Sequence, residues 1–280
     1  MISFVGAGPG AADLITIRGA QRLGEASVVI WASSLVPEQV LAHCGPGTKI
    51  LDSATMTMED VIGVYQANPD VSTVRLHSGD PSIFGALQEQ IDWCLANERS
   101  FEVVPGVSSL SAAAAALGRE LTIPSVSQSI VLTRLAGRTR SSVPDGPGGE
   151  DVPDGEDAGD VARLATHGCT MAVFLSAARP RELEAQLLGP KSGFSADTPA
   201  AIIIRASWPN EQVIRTTVGR LSTDLAATKQ TRTVLVLVGQ ALEMAGTRSN
   251  LYSPSFSHHF RVRSKPGSTT GRPSRAHRPR

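Results

Sequence analysis

Aromatic side chains are scarce, 4% of 280 residues, which excludes a core built from stacked rings; the 41% hydrophobic content is mostly Val, Ile, Leu and Ala. Those are the residues of buried parallel strands and the helices that cover them. Cysteine is limited to Cys44, Cys94 and Cys169, far apart and without Cys-x-x-Cys spacing. That excludes a disulfide framework, and although His43 and His167 lie near two of the thiols, neither pair extends into a metal-ligand pattern. The thiols read as buried groups of a reducing compartment, and no metal is expected. Apolar runs all fall short of the roughly 18 residues of a membrane span. Met1 to Val5 enters a strand at once, with no basic stretch or small-residue cleavage site, so the expected location is the cytoplasm with no membrane partner.

Acids are absent from 252 to the end, where Arg261, Arg263, Lys265, Arg272, Arg275, Arg278 and Arg280 fall. Setting those seven aside leaves 19 basic against 26 acidic residues, a mildly acidic body that argues against nucleic acid as a partner. The basic Ser/Pro/Arg/Gly tail from 253 to 280 is expected to be disordered.

Strand-like and helix-like segments alternate through the first half. Short apolar strands are expected at Ile2–Val5, Ser27–Trp31, Lys49–Leu51, Val74–Leu76 and Phe101–Val104. Helices are expected after Thr16, after Pro37, over Thr57–Tyr65, from Pro81 onward with Leu87, Ile91 and Leu95 as its apolar stripe, and through Ala112–Ala116 behind Ser108 or Ser109. Such alternation predicts a parallel sheet covered by helices, a domain taken as 1–135 and ending in a strand at Ile130–Thr133. Residues 136–160 are Gly, Pro, Asp and Glu with almost no apolar residue, and repeat a Val-Pro-Asp-Gly unit at 143 and 152; they read as an acidic linker or loop. A smaller α/β domain of mixed strand direction follows over 161–252. Its strands are expected at Thr170–Leu175, Ala200–Arg205, Gln212–Thr217 and Thr233–Val238, with a helix over Glu182–Leu188.

Three first-domain strands run into Gly/Pro loops: Gly6-Ala-Gly-Pro-Gly10, Ser78-Gly-Asp-Pro81 and Pro105-Gly-Val-Ser-Ser109. Loops after parallel strands gather on one edge of the sheet, where open α/β folds place ligands. The first is not a dinucleotide fingerprint, because Pro9 removes an amide from the turn and Asp13 to Thr16 intervene before the helix. A nicotinamide-dependent oxidoreductase would rest on Gly6 and Gly8 alone.

The segments Val5-Gly-Ala-Gly-Pro-Gly10, Leu76-His-Ser-Gly-Asp-Pro-Ser-Ile-Phe-Gly85, Val104-Pro-Gly-Val-Ser-Ser109 and Pro199-Ala-Ala-Ile-Ile-Ile-Arg-Ala-Ser-Trp208, in that order, resemble the tetrapyrrole methylase family. Trp31–Pro37, Leu41–Cys44, Gly118–Thr122 and Leu251–His258 are similar to its corrin (vitamin B12) branch, whereas Ala32-Ser33 stands where uroporphyrinogen methylases carry an Asp. The resemblance implies two α/β domains, a homodimer, and S-adenosylmethionine in the cleft between domains, with methyl transfer to carbon of a corrin precursor. The implied cofactor contacts are Pro9, Ser78, Gly79, Asp80, Ile83, Ser108 and Ser109, then Leu175, where many relatives have Met, and Ala206, where others have Gly. The alternatives within the family are a corrin precursor already loaded with cobalt, as in the anaerobic route, and another methylase of the same fold, acting on RNA ribose or a diphthine precursor.

A sulfonium methyl is already activated, so a strong protein nucleophile is not required and holding the reactants in line is the main task. Small residues and glycines suit that task. Asp80 would cap the helix at Pro81 or face positive charge on the cofactor. A ring bearing many carboxylates calls for cations, and Arg18, Arg119, Arg134, Arg138 and Arg205 are candidates; His77 is the candidate proton acceptor.

Overall fold

The computed structural model describes residues 1–135, 160–246 and 249–268. The duplicated tract at 143–157 and Arg138 lie outside them. Two five-stranded sheets form the framework. The first runs in the order β3 (Lys49–Asp52), β2 (Val28–Trp31), β4 (Thr73–His77), β1 (Ile2–Gly6), β5 (Phe101–Val104), all parallel. All five residues of β1 are buried, as a central strand covered on both faces requires, and its one polar side chain, Ser3, is satisfied by donating to Glu102 Oε1 at 2.8 Å. Because β4, β1 and β5 are neighbours, the three loops that follow them lie side by side.

Local signals set the helices. Thr16 caps α1 (Ile17–Gly24), its hydroxyl accepting from Gly19 N at 3.1 Å. Thr57 and Asp60 form a reciprocal box at the start of α2 (Met58–Ala67). The segment led by Pro37 is a 3-10 helix, Glu38–His43. The helix expected at Pro81 starts seven residues later, as α3 (Gln88–Ala96), because Phe84 and Ala86 adopt left-handed φ of 54° and 47° that no helix accommodates. Its apolar stripe is only partly the buried face: Leu87 and Ile91 pack against the core of the first sheet but Leu95 is exposed, while Gln90 is buried with its side chain held by Tyr65 Oη and Ala86 O.

α4 (Ser109–Leu117), capped by the Ser108 hydroxyl and closed by Gly118 at φ 62°, bridges the halves. Its Ala112, Ala113 and Leu117 pack on Ala172, Ala201, Ile203, Leu235 and Leu237 of the second sheet. Alanine at those positions brings helix and sheet close. That sheet has the order β6 (Ile130–Arg134), β7 (Thr170–Phe174), β10 (Val234–Val238), β8 (Pro199–Ile204), β9 (Gln212–Thr217). β6 pairs parallel to β7 and the remaining pairs are antiparallel. The strand placed at the end of the first domain thus belongs to the second sheet, whose hydrogen bonding begins before the 136–160 tract.

On the other face α5 (Asp160–Ala165), α6 (Pro180–Leu187) and α7 (Leu221–Ala227) bury Met171, Val173, Ile202, Ile204, Val236 and Val238. α5 and α7 carried no recognised sequence signal. Residues 253–268 are not the featureless tail expected. His258 and Arg261 exchange backbone hydrogen bonds at 2.8 and 2.9 Å, and the Arg261 guanidinium gathers the carbonyls of Leu251 and Ser253. No helix among the described residues is long and apolar enough to cross a membrane.

Candidate functional site

The first-domain half of the site is backbone packed on backbone. Ala7 N donates to His77 O at 2.7 Å, and Gly8 and Gly79 exchange hydrogen bonds at 3.3 and 2.8 Å. Gly6 and Gly106 touch so closely that a Cβ on Gly6 would lie 2.5 Å from Gly106 Cα and 2.7 Å from Gly79 O. Only glycine permits three chains to converge this tightly. Asp80 fastens the arrangement: Oδ1 accepts from Ser82 N at 2.8 Å and Oδ2 from Gly106 N at 2.9 Å. The helix-capping role gives way to a tie between two loops, since the next helix starts only at Gln88, while Asp80 keeps its place on the wall of the cleft between the two halves.

The second-domain half follows β7 and β8 and precedes β10. Leu175, Arg205, Ser207 and Thr233 all adopt left-handed φ, between 50° and 65°. Such conformations cost of order 1–3 kcal/mol each and concentrate where structure serves a ligand. Leu175 is correspondingly 62% exposed. The halves are bolted together by Trp208 Nε1 donating to Pro9 O at 3.0 Å and Ala11 N donating to Ser207 Oγ at 3.0 Å. Phe84 and Phe174 meet across the gap with centroids 5.0 Å apart.

Between these halves lies a cleft of about 240 Å³. All nine residues expected at the cofactor line it: Pro9, Ser78, Gly79, Asp80, Ile83, Ser108, Ser109, Leu175 and Ala206. Sequence reasoning missed Leu35, Phe84, Phe174, Ala177 and Ile203, and also the run Thr231 to Leu235. The run carries no motif; its one signal is a polar triplet, Thr231-Arg232-Thr233, abutting an apolar strand. Among the lining residues only Asp80 and Arg232 are charged.

The structure separates the other candidates from this cleft. His77 is 6% exposed and absent from the lining, on the side of β4 that packs against Phe4. Burial, reinforced by the Arg75 charge, pushes its pKa down to about 3 against the weaker opposing effects of the Gly85 backbone and Asp80. A proton acceptor must reach the reacting group, so His77 is corrected from that role to a neutral, buried ring. Arg119 spends its guanidinium on the carbonyls of Ala241 and Met244 at 2.7–3.1 Å. Arg205 sits over Trp208 with Cζ 5.9 Å from the ring centroid. Arg18 is exposed on α1 and Arg134 ends the edge strand β6. None of these four arginines lines the cleft. Cys44, Cys94 and Cys169 are free thiols, and burial raises the pKa of the first two. No His/Cys/Asp/Glu cluster able to hold a metal occurs among the described residues.

Residues 1–222 match the model of the family described as Tetrapyrrole (Corrin/Porphyrin) Methylases. A precorrin-4 C(11)-methyltransferase of Sinorhizobium sp is 39% identical over 265 residues, covering 94% of this chain and 98% of the relative. The solved structure of a cobalt precorrin-4 methyltransferase superposes with a TM-score of 0.76 at 36% identity, covering 87% of this chain and 96% of the other. The uroporphyrin-III C-methyltransferase of Thermus thermophilus, solved in complex with S-adenosyl homocysteine, gives 0.66 at 26% identity, with 86% and 93% covered. With motifs, fold and cleft in agreement with these matches, the chain belongs to the tetrapyrrole methylase family.

Proposed function

We propose that this protein transfers a methyl group from S-adenosylmethionine to C11 of precorrin-4, giving precorrin-5 in corrin (vitamin B12) biosynthesis. The observation that carries the reading is that the nine residues which the resemblance implies as cofactor contacts, drawn from both domains, line one cleft. The residues suit the cofactor: the walls are mostly small or apolar, as an adenosine needs, and charge is confined to Asp80 and Arg232, which leaves one group of each sign for the charged amino-acid chain on its sulfonium sulfur. Bound S-adenosylmethionine would supply an electrophilic methyl on a sulfonium sulfur. The chain's own part is placement. Gly6, Gly79 and Gly106 let the loops close on one another, and Asp80 locks two of them. Ser108, Ser109, Leu175 and Ala206 would line the nucleoside's bed, with Phe84, Phe174 and Ile203 keeping water from it. Fixing two reactants in line is worth several kcal/mol of the barrier, by the effective-molarity argument. Asp80 is committed to two backbone amides, so the lining offers orientation rather than a free general base.

The test is incubation with methyl-labelled S-adenosylmethionine and precorrin-4, followed by mass spectrometry. The reading expects one added methyl at C11, and an unlabelled ring would overturn it. Running metal-free and cobalt-loaded acceptors in parallel decides which form is used, a choice that the likeness to a cobalt precorrin-4 methyltransferase makes necessary. Family membership also supports a homodimer, which light scattering on the purified chain would test.

A further inference from the structure

We infer that Arg232 is the residue by which the cleft grips a carboxylate of its ligands, an inference that rests on the methyltransferase reading above. The cleft has two charged lining groups. Asp80 is already satisfied by the amides of Ser82 and Gly106. Arg232 is exposed, and among the described residues its guanidinium has no hydrogen-bond or ion-pair partner. An arginine left free on the rim of an otherwise small and apolar cleft is a fork of donors awaiting a planar anion.

Its position is set by the backbone. Arg232 lies on the bend between α7 and β10, between Lys229 at φ 56° and Thr233 at φ 55°. Arg205 N donates to Thr233 O at 2.8 Å, which pins this bend beside the Arg205–Ser207 turn and so beside Ala206. Two turns with strained residues are thus joined, and the cation they present points to a ligand charge of opposite sign. Both ligands of the proposed reaction carry carboxylates, the donor one on its amino acid and the acceptor several on its ring. Of the arginines expected to meet them, Arg18, Arg119, Arg134 and Arg205 stand outside the cleft.

The test compares Arg232→Gln and Arg232→Lys with the unaltered protein. Calorimetric Kd values are measured for S-adenosylhomocysteine and for 5′-methylthioadenosine, which lacks the carboxylate, together with the acceptor's KM and kcat. Because Arg232 is exposed and unpartnered, both variants should melt with the unaltered protein. A charge-assisted pair is worth about ten- to a hundredfold in affinity. If the donor's carboxylate is held, Arg232→Gln weakens S-adenosylhomocysteine by about tenfold or more while methylthioadenosine binds as before. If an acceptor carboxylate is held, both nucleosides bind normally and KM rises by that factor with kcat little changed. Arg232→Lys should recover part of either loss. All three constants within about twofold of the unaltered protein would overturn the inference alone. Failure of the unaltered protein to bind either nucleoside would overturn the methyltransferase reading and this inference with it.

Discussion

Asp80 Oδ2 accepts a hydrogen bond from Gly106 N at 2.9 Å, joining the loop after β4 to the loop after β5 across the end of β1. That bond makes the cleft floor one piece. Truncating Asp80→Ala leaves the part-buried Gly106 amide and the exposed Ser82 amide without their acceptor, a cost of about 1 kcal/mol. The expected outcome is a lower denaturation midpoint and S-adenosylhomocysteine binding weakened by about tenfold. Asp80→Asn keeps one carbonyl acceptor and should fall between. Calorimetry with parallel urea titrations reads both effects, and unchanged affinity in Asp80→Ala would show that the loops hold their places without the tie.

Gly79 and Gly106 are both required, for different physical reasons. A Cβ at Gly106 would fall on Gly79 O and 2.7 Å from Gly6 Cα, backbone atoms that have nowhere to go. At Gly79 the nearest atom to a new Cβ is Ser109 N at 3.8 Å, ordinary contact, but φ is 65°. Gly106→Ala should therefore cost several kcal/mol and yield little soluble protein. Gly79→Ala should cost only about 1–2 kcal/mol of left-handed strain, and Gly79→Val more, since branching stiffens the side chain further. Urea midpoints for the three variants check the order; Gly79→Ala proving worse than Gly106→Ala would contradict it.

Trp208 couples the two domains at the mouth of the cleft. Its ring lies so close to Gly10 that a Cβ there would meet the indole, and its Nε1 reaches Pro9 O at 3.0 Å. Trp208→Phe loses the hydrogen bond while keeping a ring, an expected loss of about 1 kcal/mol; Trp208→Ala, at a half-buried position, should lose about 2–3 kcal/mol. Both should raise the Kd of S-adenosylhomocysteine, because Pro9 and Ala206, which Trp208 holds together, line the same cleft. Stability lost without any change in binding would make Trp208 a remote structural prop.

The strands and loops of the first domain were legible because parallel strands are short apolar runs and their loops advertise themselves through Gly, Pro and Ser. Gly79 and Gly106 could be picked out by residue type, Gly106 because no side chain tolerates such an approach and Gly79 because its left-handed φ favours glycine. The left-handed conformations of Leu175, Arg205 and Thr233 could not, because tertiary packing imposes on them a geometry that their identities disfavour. Arg232 was invisible for another reason: its importance comes from being near Ala206 in space and unpaired, and neither property is written in the local pattern. Similarly, Ile130–Arg134 reads as a strand from its β-branched residues, but which sheet claims it depends on pairing with Thr170–Phe174 across the acidic tract.

His77 should make the protein acid-sensitive without taking part in the chemistry. An exposed histidine titrates near 6.5, whereas this one is pushed down to about 3, first by burial and then by the Arg75 charge. Above pH 6.5 the ring is neutral folded or unfolded and contributes no pH dependence. Below that, the unfolded chain takes up a proton that the folded one refuses, so stability falls as pH drops from about 6 toward 3, with a slope approaching about 1.4 kcal/mol per pH unit. His77→Gln removes the group from both states. The difference in unfolding free energy, unaltered protein minus variant, should be flat at neutral pH and fall steadily as the medium is acidified below about 6. Activity at neutral pH should stay within about fivefold and the pH profile of kcat should keep its shape. A loss of a hundredfold or more, with the alkaline or acid limb displaced, would mean that the buried ring gains access to the substrate and accepts its proton after all.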